Sequence, residues 1–153
     1  MTTAAQPVAS AIKPYLFFDG RCEEAIEFYK QALGAEVLML LRFRDNPDQP
    51  EPSDACMPPP GSADKIMHAS LMIRGSEIMM SDGMCGGSPT FNGVSISLSL
   101  PDSSAAETVF AALSEGGQVQ MPLGPTFFSP IFGMTADRFG VSWMIGVPGG
   151  TGS

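Results

Sequence analysis

The spacing of apolar residues predicts two amphipathic helices. Between Cys22 and Leu33, apolar side chains recur three and four positions apart, and Gly34 follows as a helix stop. The same spacing recurs between Ala105 and Leu113. There, Ser104 and Glu107 have the N-cap and N3 spacing of a capping box. We therefore expect one helix in each half of the chain.

Strand-like runs of β-branched and aromatic residues surround both helices, with glycines at the turns. One run precedes each helix and three follow it, so the order is β-α-β-β-β, twice. This order predicts an α+β domain of two similar modules, at about residues 12–84 and 92–147. The predicted strands are Ile12–Phe18, Glu36–Phe43, Lys65–Ile73 and Glu77–Ser81, and then Val94–Leu100, Gln118–Met121, Phe127–Thr135 and Val141–Val147.

A faint internal repeat supports the two-module prediction. Three residues of the first module recur 82 positions later, at the same places in the element order. Phe28, Gly34 and Val37 return as Phe110, Gly116 and Val119.

One predicted strand alternates apolar residues and serines without a break. Because side chains along a strand alternate between its two faces, the apolar set is expected to pack on a helix. The serines then face solvent or, if the two modules curl together, a cavity. The apolar set is Val94, Ile96, Leu98 and Leu100, and the serines are Ser95, Ser97 and Ser99.

Three segments are predicted to lack regular structure. Residues 45–64 are rich in proline, which removes backbone donors, so a long loop is expected there. We favour a mobile insertion over a functional loop. Residues 1–11 and 148–153 are small and polar, and are expected to be a disordered arm and a flexible tail.

Charge and cysteine content narrow the function classes. The net charge of −8 disfavours nucleic acids and anionic membrane surfaces as partners. The chain has no apolar run of membrane-spanning length and no secretory leader pattern, so a cytoplasmic location is expected. Cys22, Cys56 and Cys85 have neither disulfide-framework nor zinc-site spacing, and are expected to be free thiols.

Several segments resemble the PhnB-like branch of the vicinal oxygen chelate superfamily, which includes glyoxalases, bleomycin-resistance proteins and extradiol dioxygenases. The resemblance covers residues 12–147 and implies paired βαβββ modules around a cup, in a homodimer. Members are often described as methyltransferase-like proteins of ubiquinone synthesis, but this sequence contains no glycine-rich methyl-donor motif. The matching segments are 14–20, 24–29, 33–36, 67–69, 81–82 and 135–145.

The resemblance also implies a divalent metal in the cup, held by His, Glu or Gln from the first and last strands of each module. Carried over by spacing, these positions are Pro14, Met79 or Met80, Ser95 and Met144. A shift of one residue gives Tyr15, Met80, Val94 and Trp143. Neither set offers good ligands for a hard or borderline divalent ion, so no metal and no cofactor are expected.

The candidate site is therefore the lining of the cup. His68, the single histidine, is either a polar anchor or a hydrogen-bonded structural residue. Methionines and aromatics suit an apolar ligand, although they equally suit a core or a dimer interface. Asp19, Asp102 and Asp137 are expected to be caps and turn formers rather than catalysts. The predicted cup residues are His68, Ser95, Ser97, Met79, Phe127, Phe128, Trp143 and Met144.

Three functional hypotheses follow. The first is a metal-independent protein that binds a small apolar molecule, with His68, Ser95 and Ser97 as polar anchors. The alternative is a metal-dependent lyase, dioxygenase or thiol transferase of the same superfamily. A purely structural partner protein is the third, and no specific sequence feature supports it.

Overall fold

The computed structural model describes residues 11–18, 20–45, 63–82 and 90–148. These residues form two helices and eight strands. The first module holds β1 (Tyr15–Phe17), α1 (Cys22–Leu33), β2 (Glu36–Arg42), a 3-10 turn (Phe43–Asp45), β3 (Ile66–Ile73) and β4 (Ser76–Ser81). The second holds β5 (Ile96–Ser99), α2 (Ser103–Ser114), β6 (Gln118–Gly124), β7 (Ile131–Ala136) and β8 (Ser142–Val147). Most of the predicted loop 45–64 and of the two predicted terminal segments lies outside the described residues, as do Asp19, Cys56 and Cys85.

Each module forms one four-stranded mixed sheet, which confirms the predicted α+β class. The strand orders are β1-β4-β3-β2 and β5-β8-β7-β6. In both sheets the first and last strands of the module pair in parallel, and the other pairs are antiparallel. β1 and β5 therefore hold the same place in their sheets, each at one edge.

The strand register adds further equivalent positions to the internal repeat seen in the sequence. Val37 and Val119 each pair just before a bulge in the second strand of their module. Tyr15 pairs with Met79 on β4. Ser97, 82 residues after Tyr15, pairs with Met144 on β8. The two modules thus place equivalent residues at equivalent points of their sheets.

The two helices pack on the same side of the sheets, and the hydrophobic core lies between the helices and the sheets. The buried residues of α1 and of α2 recur every three or four positions, as the apolar pattern predicted. Gly133 on β7 lets α2 approach closely, since a Cβ there would lie 2.9 Å from the Phe110 ring. Fully buried Leu or Ile side chains in this layer each contribute about 1.5–3 kcal/mol. The fully buried aliphatic and thioether side chains include Ile26, Ile66, Leu71, Met80, Leu100, Leu113 and Ile145.

The helix ends differ in part from the expected caps. Gly34 ends α1 in the left-handed region with a φ of 69°, as predicted. α2 begins two residues earlier than expected, and the capping box of Ser104 and Glu107 was wrong. The cap is Asp102, whose carboxylate accepts a hydrogen bond of 2.8 Å from the Ala105 amide.

The start of α1 is capped from a distant strand. Oδ1 of Asp82, at the end of β4, accepts from the amides of Gly20 at 2.6 Å and Cys22 at 2.9 Å. Its Oδ2 accepts from the Ile66 amide at 3.0 Å. A single carboxylate therefore ties the start of the helix to two strands of its own sheet.

Three predicted strands are at least three residues shorter than expected. β1 spans Tyr15–Phe17 rather than Ile12–Phe18. β7 begins at Ile131 rather than Phe127, because Thr126 closes a turn by accepting from the amides of Phe128 and Ser129. β5 begins at Ile96 rather than Val94.

The apolar alternation in and around β5 holds for three of its four residues. Leu100 is buried, and Ile96 and Leu98 pack against the core. Val94 was wrongly assigned to this layer, since 64% of it is exposed. It precedes the first paired residue of β5, so the helices do not cover it.

A buried carboxylate joins the two modules. Asp137, in the turn between β7 and β8, is 3% exposed. Its Oδ2 accepts from Tyr29 of α1 at 2.5 Å and from the Trp143 indole of β8 at 2.9 Å. Its Oδ1 accepts from the amides of Phe139 at 2.9 Å and Val141 at 3.1 Å. Burial, followed by the Asp137 charge, raises the pKa of the Tyr29 phenol well above its ordinary value, so Tyr29 stays a donor.

Aromatic rings surround this carboxylate and complete the contact between modules. Phe139 packs edge-on against Phe18 at 5.6 Å, Phe28 at 5.8 Å and Tyr29 at 6.2 Å between ring centroids. Arg21 lies over the Phe139 ring, with its guanidinium carbon 4.5 Å from the centroid. The turn that holds Asp137 is thereby fixed against α1 of the other module.

No helix among the described residues is long and apolar enough to cross a membrane.

We expect Asp137→Ala to lower the free energy of unfolding by about 3 kcal/mol or more, because it leaves three buried donors and one part-buried donor without their acceptor. Tyr29→Phe removes one hydrogen bond and should cost about 0.5–1.5 kcal/mol. Urea denaturation followed by tryptophan fluorescence measures both values. The matched control is Asp102→Ala, which loses a helix cap and should cost about 1 kcal/mol. An Asp137→Ala loss no larger than that of the control would contradict the inter-module role.

Candidate functional site

The sheet face turned away from the helices is here called the cup face. Directly paired residues of neighbouring strands point to the same side, and their sequence neighbours lie under the helices. In the first module the cup face carries Tyr15, Phe17, His68, Ser70, Met72, Glu77 and Met79. In the second it carries Ser97, Ser99, Phe132, Met134, Ser142 and Met144.

Tyr15 and His68 form a hydrogen-bonded pair on this face. The Tyr15 hydroxyl lies 2.9 Å from Nδ1 of His68, and the two ring centroids are 5.5 Å apart. Tyr15 remains 37% exposed. Burial raises the pKa of the Tyr15 phenol, while a hydrogen bond from Ser81 acts in the opposite direction. The phenol is therefore a neutral hydrogen-bonding group at neutral pH.

Glu77 forms an ion pair beside them. Its Oε1 lies 2.6 Å from Nζ of Lys13, and its Oε2 accepts from the Ser70 hydroxyl. The hydrogen bonds from Lys13 and then Ser70 lower the pKa of the Glu77 carboxyl. Glu77 is thus ionised, and its charge is matched by Lys13.

A groove of about 720 Å³ separates the edge of the first sheet from β5 of the second. We call it the inter-sheet groove; its lining includes Lys13, Tyr15, Glu77, Ser95 and Ser97. A smaller cavity of about 170 Å³ lies beside it over the second sheet. Ser97 lines both hollows, so they meet at this residue.

Aromatic rings border the smaller cavity. Phe128 packs edge-on against Phe132 with 5.1 Å between centroids, and both residues line the cavity with Ser99. The turn that presents Phe128 is fixed by Ser129, whose hydroxyl donates to the Val147 carbonyl at 2.5 Å. The second module therefore offers an aromatic and serine-rich wall.

The structure brings most of the predicted site residues to this region. Ser95 and Ser97 line the inter-sheet groove, and Ser95 also bonds to Ser142 at 3.0 Å. Met79 is the strand partner of Tyr15, and Met144 is that of Ser97. His68 reaches the groove through Tyr15, and Phe128 lies at the adjoining cavity.

Two predicted site residues lie elsewhere. Trp143 is 1% exposed and bonds to Asp137 in the core, so placing it in the cup was wrong. Along a strand, Trp143 and Met144 must face opposite sides, and Met144 has the cup side. Phe127 is fully exposed at the tip of its turn, contacts Phe128 at 5.1 Å, and lines neither hollow.

Several cup residues were missed, among them Tyr15, Glu77 and Phe132. From the sequence, Tyr15 was named only as a possible metal ligand. Its spacing of two residues from Phe17 indicated that both aromatic side chains lie on the same face of the strand. Phe132 has the same period-two relation to Met134 within β7. Assigning the faces of these strands required their partners.

The donors present do not fit a hard divalent metal. By register, the four equivalent cup positions are Tyr15, Met79, Ser97 and Met144, rather than sets containing Pro14 or Ser95. They offer a phenol bonded to a histidine, a serine hydroxyl and two thioethers, where such an ion prefers carboxylate or imidazole ligands. Within the described ranges, no group of three or more His, Cys, Asp or Glu residues is placed to hold a metal.

The outer surface carries a third hollow, between the two helices. It measures about 510 Å³ and is lined by Glu24, Glu27, Glu115 and Arg138, among others. Arg138 stacks over Phe28 at 4.4 Å there. The hollow lies on the helix side of the sheets, opposite the cup face, and three glutamates make its lining acidic.

The family model described as 3-demethylubiquinone-9 3-methyltransferase matches residues 10–146 of the chain. Protein PA1353 from Pseudomonas aeruginosa is 42% identical, with a TM-score of 0.78, and the match covers 92% of this chain and 98% of that protein. The PhnB protein from Bacillus cereus, which carries the same methyltransferase description, is 28% identical, with a TM-score of 0.71, and the match covers 90% and 99%.

A more distant structure confirms the fold. The glyoxylase/bleomycin resistance protein/dioxygenase domain from Frankia is 16% identical, with a TM-score of 0.59, over 93% of this chain and 99% of that domain. The predicted glyoxalase-like architecture of two βαβββ modules is therefore correct.

We expect Cys22 to resist alkylation in the folded protein. It is fully buried, and its burial, followed by the charges of Asp82 and Glu23, raises the pKa of its thiol far above the usual range. Iodoacetamide at pH 8 followed by peptide mass spectrometry should find Cys22 unmodified in native buffer and modified in guanidinium. Fast modification of Cys22 in the native state would contradict its placement.

Proposed function

The chain belongs to the PhnB-like family described as 3-demethylubiquinone-9 3-methyltransferase, and from this premise we propose that it binds a small, largely apolar molecule at the cup face without the usual divalent metal. The ligand occupies the inter-sheet groove and the adjoining cavity. The observation that carries the proposal is that Ser97 lines both hollows, and that Phe128 and Phe132 border the smaller one. The cup-face methionines Met79 and Met144 are the strand partners of Tyr15 and Ser97.

The chemistry of the lining supports an apolar ligand. Apolar side chains such as Ile12, Val94 and Ile96 line the groove. The cup-face methionines Met79 and Met144 pair with groove residues, and their polarisable, flexible thioethers can adapt to the shape of an apolar ligand. The aromatic pair Phe128 and Phe132 adds ring edges and faces on one side. A few polar groups, Ser95, Ser97 and Tyr15, lie among them in the pattern typical of small-molecule sites.

The donor set argues against the superfamily's metal chemistry at this site. Metal-dependent lyases, dioxygenases and thiol transferases need a Lewis-acidic ion at the cup, and the four equivalent positions here supply two thioethers and two hydroxyl groups. The methyl transfer named in the family description is not part of the proposal, because the two mixed sheets differ from the parallel sheet that carries glycine-rich nucleotide sites.

Titration with N-phenylnaphthylamine, a neutral aromatic probe that fluoresces in apolar surroundings, tests the proposal. We expect saturable binding to the wild-type protein. Ser97→Trp fills the junction of the two hollows and should weaken binding by about tenfold or more, which corresponds to about 1.4 kcal/mol. Ser104→Trp makes the same change on the exposed surface of α2 and is the matched control.

Two results would contradict the proposal. One is the absence of saturable binding by the wild-type protein, or equal affinity of wild type and Ser97→Trp. The other is a stoichiometric divalent metal, found by elemental analysis of protein purified without added metal, whose removal changes an activity. The second result would favour the metal-dependent alternative.

We also propose that the protein is a cytoplasmic homodimer. The resemblance to this superfamily implies the dimer, and three cysteines without the spacing of a disulfide framework suit a reducing compartment. The outer edge strands support an interface between copies, since β2 and β6 expose apolar side chains and end their sheets among the described residues. The exposed residues are Val37, Leu38, Met39, Leu41, Val119 and Met121.

Sedimentation velocity tests the dimer. The wild-type chain should sediment as a dimer, and Met39→Lys with Val119→Lys should shift it toward a monomer, since charges at an edge oppose strand pairing. Phe127→Lys removes a fully exposed aromatic residue outside the edge strands and should leave the dimer intact. A monomeric wild type, or a dimer broken by the control alone, would contradict this interface.

A further inference from the structure

We propose that Tyr15 and His68 act together as the polar anchor of the cup, so that the ligand is an aromatic or apolar molecule carrying a carbonyl or oxyanion oxygen. This inference rests on the proposed function and adds the chemical class of the ligand. Tyr15 lines the inter-sheet groove and makes the contact, while His68 lies behind it and is the positioning residue.

The hydrogen-bonding capacity of the pair supports recognition of an acceptor. If the Tyr15 hydroxyl donates to Nδ1 of His68, the ring carries its proton on Nε2 and that N–H remains available. If Nδ1 carries the proton and donates to Tyr15, the hydroxyl hydrogen remains available. In the described part of the chain, Tyr15 is the hydrogen-bond partner of the His68 ring. The second arrangement leaves the hydrogen on Tyr15, the member of the pair that lines the groove, so the proposed anchor has Nδ1–H of His68 donating to the Tyr15 oxygen.

The charged residues near Tyr15 and His68 are already paired with each other and do not compete for the ligand oxygen. Glu77, which also lines the groove, is bonded to Lys13 at 2.6 Å and to the Ser70 hydroxyl, so both charges of that ion pair are already matched. The chain as a whole is strongly acidic and does not favour anions. A preference for an oxyanion would thus come from local hydrogen-bond donation at Tyr15.

The second module supplies the complementary end. Ser97 separates the Tyr15 side of the groove from the cavity bordered by Phe128 and Phe132. A ligand with an oxygen at one end and a ring at the other matches this order of polar and aromatic walls. Edge-to-face packing of the ligand ring against these phenylalanines adds orientation to the apolar contact.

Two matched probes separate the anchor from general apolar binding. Anilinonaphthalene sulfonate and N-phenylnaphthylamine share one aromatic skeleton and differ by the sulfonate. The readout is the ratio of their dissociation constants, measured by fluorescence for wild type, Tyr15→Phe, His68→Leu, His68→Gln and Lys13→Met.

We expect the wild-type protein to bind the sulfonate probe more tightly than the neutral one. Tyr15→Phe and His68→Leu should reduce this preference by about tenfold, the size of one hydrogen bond to a charged group. Affinity for the neutral probe should remain within about twofold. His68→Gln should restore most of the preference, because its amide can still position the Tyr15 hydroxyl.

Three results would overturn the inference. Equal losses for both probes in Tyr15→Phe would mean that the pair is only structural. A preference lost in Lys13→Met but kept in Tyr15→Phe would make Lys13 the anchor. No preference in the wild type, with the neutral probe still bound, would refute the anchor alone, whereas failure of both probes to bind would refute the proposed function as well.

Discussion

The arrangement of the two modules depends on one buried carboxylate. Asp137 accepts hydrogen bonds from Tyr29 of α1, from Trp143 of β8 and from two amides of its own turn. A buried charge is stable only where it is fully hydrogen-bonded, so these donors must converge for the chain to fold. That convergence fixes the turn of the second module against the helix of the first.

Because side chains along a strand alternate between its two faces, one face of each sheet serves packing and the other forms the cup face. One face holds the apolar side chains that pack under the helices and stabilise the domain. The other is free of that requirement, and it carries methionines, serines, aromatic rings and the Tyr15–His68 pair. The glyoxalase-like fold is commonly a frame for a metal in the cup, whereas the donors at its equivalent positions here suit an organic ligand.

The sequence alone was sufficient where a single periodicity dominated. The helical spacing of α1 located that helix to the residue, and the βαβββ order predicted both sheets. It was insufficient where every position of a strand is compatible with burial. In β8, Trp143 and Met144 are both apolar, so only pairing with β7 could assign one to the core and the other to the cup.

Local chemistry at element ends was also ambiguous from sequence. Asp102 and Ser104 are both good N-caps, and their choice depends on where the helix begins. Tyr15 is identified as a site residue by its hydrogen bond to a histidine 53 residues away in sequence. Local sequence patterns cannot predict a contact of that separation. The fold was therefore more predictable than the site, because the site is built from contacts between strands.

The central claim, that the cup binds an apolar molecule without a metal, is tested most directly by the methyl resonances of the methionines. N-phenylnaphthylamine added to protein labelled at the methionine methyl groups should shift Met79 and Met144 on the cup face. Met80, which is buried under the helix, serves as the internal control and should shift little. Shifts confined to methionines outside the cup face, or cup-face shifts that appear only when a divalent metal is added, would contradict the account.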